Sequence, residues 1–180
     1  VNNGIDSIDK ITILPRAGYI TGFTKIAPDE EVVSSGLISK KLLFSKIEIA
    51  LAGRAAEIVV FGQSEITQCA ENDLRYSTAI AKEMVTKYGF SVIGPVNLDQ
   101  NSDEVFLGNS LLRNKSVLAD KTSKLIDDEV IKISKDALNR SIKIIKNNRK
   151  LLDKLVEILI DEETIDKDKF KRITRNSLKL

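Results

Sequence analysis

An acidic cluster follows the only cysteine of the chain, in the stretch SEITQCAENDLRYS from Ser64 to Ser77. Asn72 and Asp73 stand there directly before a run of helically spaced apolar residues. Either residue could cap that helix, because side-chain oxygens accept hydrogen bonds from the free N–H groups of a first turn. Asp73 could instead point at a group that requires a carboxylate. Cys69 itself is expected to be a small buried residue.

The composition removes several kinds of chemistry. The 180 residues contain no histidine, which excludes imidazole acid–base catalysis, a serine triad and imidazole metal ligands from this chain's own residues. One cysteine allows no internal disulfide. The net charge of +2 comes from interleaved acids and bases, so no nucleic-acid partner is indicated. No apolar run has the roughly 18 residues that a membrane span needs.

A small β-hairpin is predicted in residues 1–30. Residues 9–14, DKITIL, contain alternating β-branched residues and stop at Pro15, and residues 21–26 can return as a second strand. The remainder of the chain is poor in glycine and proline and favours helices. We therefore predict a mainly α fold with long C-terminal helices, in a single domain over residues 1–180.

Two central helices are predicted over residues 39–89. The first is apolar on most faces, so it should be buried, and Gly53 inside it is expected to let a neighbour approach closely. Arg54 and Glu57 by themselves would form an ion pair on its surface that contributes little to stability, and if they are buried they need further partners. The second helix starts near Asn72, and its spacing places one set of residues on a common face: Leu74, Ser77, Ala81, Met84 or Val85, and Tyr88. The glycines placed to end the two helices are Gly62 and Gly89.

The C-terminal half is predicted to begin with a loop region over residues 90–115 that contains one short strand at 104–108. Helices are predicted over residues 116–175. The stretch NNRK is expected to join two of these helices, and Asp166 to cap the last one. The basic tail, residues 171–180, is expected to fray.

Six segments occur in an order that is typical of one protein family. They are KITILPR, GFT, ALAGRAAEIVVFG, EITQCAENDLRYSTAIAKEMVTKYGFSVIGPV, EVFLG and ETIDKDKF. Together they resemble the peptidase domain of the FtsH-type, membrane-anchored, ATP-dependent zinc proteases. The resemblance covers nearly the whole chain and is most specific from Leu51 to Val96.

The resemblance implies a helical domain that follows an AAA ATPase module, forms a six-fold ring and receives unfolded protein substrates. It implies a zinc ion held by two histidines of an HExxH helix and by an acidic ligand from a motif resembling TTGAxNDL. That motif reads TQCAENDL here, so Asp73 stands at the position of the third zinc ligand. The resemblance also places Gly22, Phe23 and Thr24 in a strand that receives substrate by β-addition, and an ordinary hairpin is the alternative.

The chain departs from the family pattern near these positions. The HExxH helix, which lies upstream of KITILPR in the family, is not among the 180 residues. Gln68 and Cys69 replace a Thr-Gly pair, Ala52 replaces a glycine and Ile58 replaces a glutamate. These changes indicate relaxed constraint or a specialised paralogue. Because one carboxylate cannot hold zinc, we expect the chain as given to have no catalytic residues of its own and no bound zinc, and ATP to act only through a module that it lacks.

Three functions remain open at this point. The chain could be part of an active FtsH-type protease for membrane-protein quality control, with HExxH and ATPase segments outside these residues. It could be an inactive scaffold subunit of a hexameric ring of FtsH-type subunits, or a free helical interaction module that uses residues 116–147. The domain is expected to be soluble, and the resemblance associates it with a bacterial inner membrane, thylakoid or inner mitochondrial membrane through segments not present here.

Overall fold

Helices make up most of the computed structural model, which describes residues 7–15, 22–27, 34–98 and 120–177. In chain order the elements are β1 (Ser7–Thr12), β2 (Phe23–Ala27), α1 (Lys40–Ala50), α2 (Ala52–Val60), α3 (Glu71–Thr86), α4 (Asp120–Asn147), α5 (Arg149–Glu162), β3 (Thr164–Asp166) and α6 (Lys167–Ser177). The predicted mainly α fold with a small β-hairpin is confirmed. The chain forms two compact units, Ser39–Ile142 and a second unit of Val1–Ile38 with Lys143–Leu180. The single domain over 1–180 stays a prediction.

A three-stranded antiparallel sheet in the order β2-β1-β3 lies in the second unit. The predicted hairpin is confirmed, since β1 pairs with β2 and Ile11 lies opposite Thr24. The strand β3 was not predicted. It places Ile165 opposite Ile11 on the other side of β1, and Ile165 is fully buried. The sheet therefore joins two segments that are far apart in the chain.

Thr12 fastens the hairpin to the end of α5. Its hydroxyl donates a hydrogen bond to the carbonyl of Glu163 (3.0 Å) and lies 2.9 Å from the hydroxyl of Thr164. Because the Thr12 hydroxyl has a single proton, Thr164 donates the second bond. Gly22 lies against the same residue, and a Cβ built on it would be 2.8 Å from the Thr12 carbonyl oxygen. This close backbone approach explains the glycine.

An apolar core fills the unit Ser39–Ile142. Its buried members are Leu43, Ile47, Leu51, Ile80, Ala81, Met84 and Ala137, from α1, α3, α4 and the α1–α2 joint. The prediction of one continuous helix up to Gly62 is wrong, because α1 and α2 are separate helices joined at Leu51. Gly62 does end α2, with a φ of +95°. Apart from its chain neighbours and the backbone of its own helix, no described heavy atom lies within 4 Å of a Cβ built on Gly53, so the close neighbour expected there is not found among the described residues.

Helix α3 buries the face that its spacing predicts, apart from its two ends. The buried residues of that face are Ser77, Ala81, Met84 and Val85. Leu74 and Tyr88 were expected on the same face, but they are 41% and 48% exposed. Gly89 then turns the chain with a φ of +61°, and Pro95 packs so closely that a Cβ on Gly89 would be 2.8 Å from its Cα. The described part of the predicted loop, residues 90–98, contains no helix or strand, and the strand predicted at 104–108 lies outside the described residues.

The joint predicted between α4 and α5 is confirmed at Asn148, whose side chain donates to the carbonyl of Ile144 (2.8 Å). Asp166 caps α6 as predicted, since its Oδ1 accepts from the amide of Lys169 (2.8 Å). The prediction that the tail frays is wrong up to Ser177, where α6 ends. Among the described residues, no helix is both long and apolar enough to cross a membrane.

Candidate functional site

Asp73 lies in the first turn of α3 and is exposed to solvent. The prediction of a hydrogen-bonded cap by Asn72 or Asp73 is wrong, because the N-cap position belongs to Ala70 and carries no side-chain cap hydrogen bond. Glu71 and Asp73 both place negative charge near the positive end of the helix dipole, which is favourable. Glu71 is bound by Arg75 (2.7 Å), whereas no hydrogen bond or ion pair within the described residues engages the carboxylate of Asp73. Its oxygens are therefore available to a ligand.

A single 3₁₀ turn, Gln68–Ala70, leads directly into α3. Thr67 precedes this turn as its N-cap, and the Thr67 hydroxyl accepts a hydrogen bond from the amide of Cys69 (3.3 Å). The turn has no apolar periodicity, so the sequence predicted no element here. The conformation of this turn sets where α3 begins, and with it the position of Asp73.

Glu57 holds Thr67 from the neighbouring helix. The Glu57 carboxylate accepts hydrogen bonds from the Thr67 amide (3.4 Å) and from the Thr67 hydroxyl. Arg54 lies 3.5 Å from the same carboxylate, and the side chains of Arg54 and Glu57 are only 13% and 19% exposed. The hydroxyl of Thr67 is the main cause that lowers the pKa of Glu57. Burial opposes this shift, and the Thr67 amide and Arg54 lower the pKa further by smaller amounts.

The predicted surface pair of Arg54 and Glu57 therefore exists, but it is mostly shielded and has a third partner. Thr67 was missed by the sequence analysis, because a contact between residues ten apart depends on how Gly62 turns the chain. Cys69 corrects another expectation, since its free thiol is exposed rather than buried. Cys69 thus lies on the surface of the turn that leads to Asp73.

The second candidate feature is strand β2, which contains Phe23 and Thr24 and is preceded by Gly22. β2 lies at one end of the strand order, and no strand within the described residues pairs with its outer side. Thr24 is exposed and Phe23 and Gly22 are half-buried. The Lys25 ammonium lies 2.8 Å from Asp9 and lowers the pKa of that carboxyl, mainly through their hydrogen bond. An edge strand of this kind can accept an extended peptide.

Zinc ligands do not form a complete set within the described residues. Within the described residues no group of three His, Cys, Asp or Glu side chains could hold a metal ion. Catalytic zinc sites use three protein ligands, with histidine the commonest, and this chain contains no histidine. Asp73 can supply one oxygen ligand to a site of that kind.

The resemblance implies a helical domain with an edge strand and an acidic metal ligand. The described residues have the helices, the edge strand β2 and the exposed carboxylate of Asp73. The model of Peptidase family M41 matches residues 1–173. The chain is 37% identical over 173 residues to the ATP-dependent zinc metalloprotease FtsH 3 of Synechocystis sp., covering 96% of this chain and 28% of the relative. It is 40% identical over 171 residues to FTSH 2, chloroplastic, of Arabidopsis thaliana, covering 94% and 24%.

A third relative, the ATP-dependent zinc metalloprotease FtsH of Trieres chinensis, is 40% identical over 169 residues, with 93% of this chain and 26% of the relative covered. The chain thus belongs to peptidase family M41, and its fold and sequence are those of an FtsH-type peptidase domain. It spans about a quarter of the length of these curated relatives.

Proposed function

We propose that this chain is the peptidase domain of an FtsH-type ATP-dependent zinc metalloprotease that takes part in membrane-protein quality control, and that the 180 residues are inactive alone. The observation that carries the proposal is the exposed carboxylate of Asp73, within TQCAENDL, in the first turn of the helix that follows the segment held by Glu57. Asp73 supplies the acidic ligand of a zinc site whose histidines come from outside these residues. ATP acts only through a module that is likewise outside them.

Strand β2 is the proposed substrate-binding element. Backbone hydrogen bonds along Phe23–Ala27 can hold an extended segment irrespective of its side chains, which suits unfolded proteins as substrates. Gly22 and Thr24 support this role because β2 is the end strand of the sheet and no strand in the described part of the chain lies beyond it. We further propose that the chain assembles in a ring with FtsH-type subunits, and that segments outside it provide the membrane attachment.

The purified chain tests the first half of this proposal. Zinc measured by plasma mass spectrometry should be well below one ion per chain, and denatured casein should remain intact. Stoichiometric zinc, or casein cleavage, would overturn the claim that the chain is inactive alone.

A fusion to an FtsH-type segment that carries HExxH tests the role of Asp73. Asp73→Asn should abolish casein cleavage and lower the bound zinc, because the amide is a weaker oxygen ligand. The matched control is Asp168→Asn, an exposed acid in the first turn of α6, which should change neither quantity. Full zinc and full activity in Asp73→Asn would exclude Asp73 as a ligand.

A second candidate function, an inactive scaffold subunit, is favoured by the position of the departures from the family pattern. Ala52 and Ile58 lie in the helix that carries Glu57, and Gln68 and Cys69 directly follow Thr67. All four therefore lie in the two segments that are linked by the contact between Glu57 and Thr67. Native mass spectrometry with active FtsH-type subunits separates the candidates. Mixed rings whose casein cleavage is not restored by supplying HExxH to this chain support the scaffold, and a strict monomer supports the free helical module.

A further inference from the structure

An open cleft of about 310 Å³ lies in the second unit, and none of the residues assigned to peptidase function lines it. Its lining consists of Lys154, Lys169, Arg172 and Ile173. Lys154 belongs to α5, whereas the other three residues belong to α6. Ile173 is buried at 7% exposure and provides an apolar wall. Three cationic side chains from two helices therefore converge on one concave surface.

The positive charge of this cleft is only partly compensated. Lys169 forms an ion pair with Glu162, and its backbone amide is bound by Asp166. Arg172 donates from Nε to the backbone carbonyl of Asp168 (3.4 Å), a contact that neutralises no charge. No acidic side chain in the described ranges pairs with Lys154 or Arg172. Two cations of the lining thus lack a counter-charge among the described residues.

We propose that this cleft binds a phosphate group. A phosphate carries about two negative charges near neutral pH, which matches two uncompensated cations better than the single charge of a carboxylate. The terminal nitrogens of Arg172 can donate in a planar fork to two phosphate oxygens, and Lys154 adds a point charge from the opposite helix. The proposal is independent of the peptidase function, since it uses none of the residues assigned to that function.

Inorganic phosphate is the direct probe. The full 180-residue chain is titrated with sodium phosphate at constant ionic strength, balanced with sodium chloride, and the Tm is followed together with calorimetric binding. Wild type should show a saturable rise in Tm, because a ligand that binds only the folded chain stabilises it. Lys154→Gln and Arg172→Gln should each weaken the affinity by about tenfold, since each removes one charge-assisted contact.

Lys135→Gln is the matched control, because Lys135 is an exposed lysine on α4 outside the cleft. It should bind phosphate as wild type does. The proposal is overturned if wild type shows no saturable response, or if all three variants respond like wild type.

The source of the phosphate is decided by a second arm, sedimentation with vesicles of phosphatidic acid in phosphatidylcholine. Binding that is lost in Lys154→Gln and Arg172→Gln but kept in Lys135→Gln assigns the site to a lipid headgroup. No vesicle binding, together with variant-dependent binding of inorganic phosphate, assigns it to a soluble phosphate. Either result supports a phosphate site, and vesicle binding that persists in all three variants argues against the cleft.

Discussion

The carboxylate of Glu57 accepts hydrogen bonds from both the amide and the hydroxyl of Thr67, which lies ten residues further along the chain. This pair ties α2 to the turn before α3. Because the Thr67 hydroxyl also accepts from the amide of Cys69 (3.3 Å), one side chain links the shielded carboxylate to the turn that precedes α3, the helix that carries Asp73. The position of Asp73, the candidate metal ligand, therefore depends on the contact between Glu57 and Thr67, which are not proposed as metal ligands.

The first prediction concerns the hydroxyl of Thr67. Thr67→Val keeps the shape of the side chain but removes its hydrogen bonds to Glu57 and to the Cys69 amide, so the turn should loosen. The thiol of Cys69, which is exposed, should then react several-fold faster with Ellman's reagent, and the Tm should fall. Thr67→Ser retains the hydroxyl and should resemble wild type. An unchanged thiol reaction rate in Thr67→Val would show that the contact does not order the turn.

The second prediction is a pH dependence that comes from Glu57. Its pKa in the folded chain is lowered from the ordinary value of 4.5, chiefly by the Thr67 hydroxyl. A lowered folded pKa contributes stability that is present above pH 4.5 and is lost as the pH falls through the folded value. The Tm of wild type should therefore drop more steeply below pH 4.5 than that of Glu57→Gln. Parallel Tm profiles of the two proteins between pH 3 and 7 would contradict this.

The third prediction concerns a buried carboxylate in the core of the unit Ser39–Ile142. Glu48 is only 3% exposed, and Arg140 Nε lies 2.9 Å from its Oε1 in an ion pair that lacks hydrogen-bond geometry. The Arg140 guanidinium also lies over the ring of Phe44, 5.1 Å from its centroid. Arg140→Ala leaves the carboxylate unpaired and should lower the free energy of unfolding by about 1–2 kcal/mol, a modest value for a buried pair because Arg140 is mostly exposed.

Urea unfolding measures this change, and Glu48→Gln is the informative second substitution. In the Arg140→Ala background the neutral amide removes the unpaired charge, so part of the lost stability should return. If Arg140→Ala unfolds at the wild-type urea concentration, the pair does not stabilise the fold.

Periodicity predicted the helices well, because apolar spacing and helix-ending glycines are local features. Asp166 as the cap of α6 and Asn148 as a joint were found in this way. The strand β3 was missed because three residues between two helices carry no measurable alternation, and its pairing with β1 is a contact across most of the chain. The link from Glu57 to Thr67 was missed for the same physical reason, since it depends on the path of the chain after Gly62. Only the family resemblance identifies Asp73 as a candidate metal ligand, because its spacing in the sequence favours a helix cap instead.

The last prediction compares two glycines that differ in the space around them. A Cβ at Gly22 would lie 2.8 Å from the backbone oxygen of Thr12, so Gly22→Ala forces β1 and the start of β2 apart and should cost roughly 1–3 kcal/mol of stability. Gly53 lies in α2 with no described atom within 4 Å of the new methyl group, so Gly53→Ala should stabilise the chain by up to about 1 kcal/mol through helix propensity. Urea unfolding of both variants checks the opposite signs.

Because the Gly22 contact also positions the edge strand, Gly22→Ala should weaken the binding of an extended peptide while Gly53→Ala leaves it unchanged. Equal stability of the two variants would mean that Gly22 is not required by the Thr12 contact.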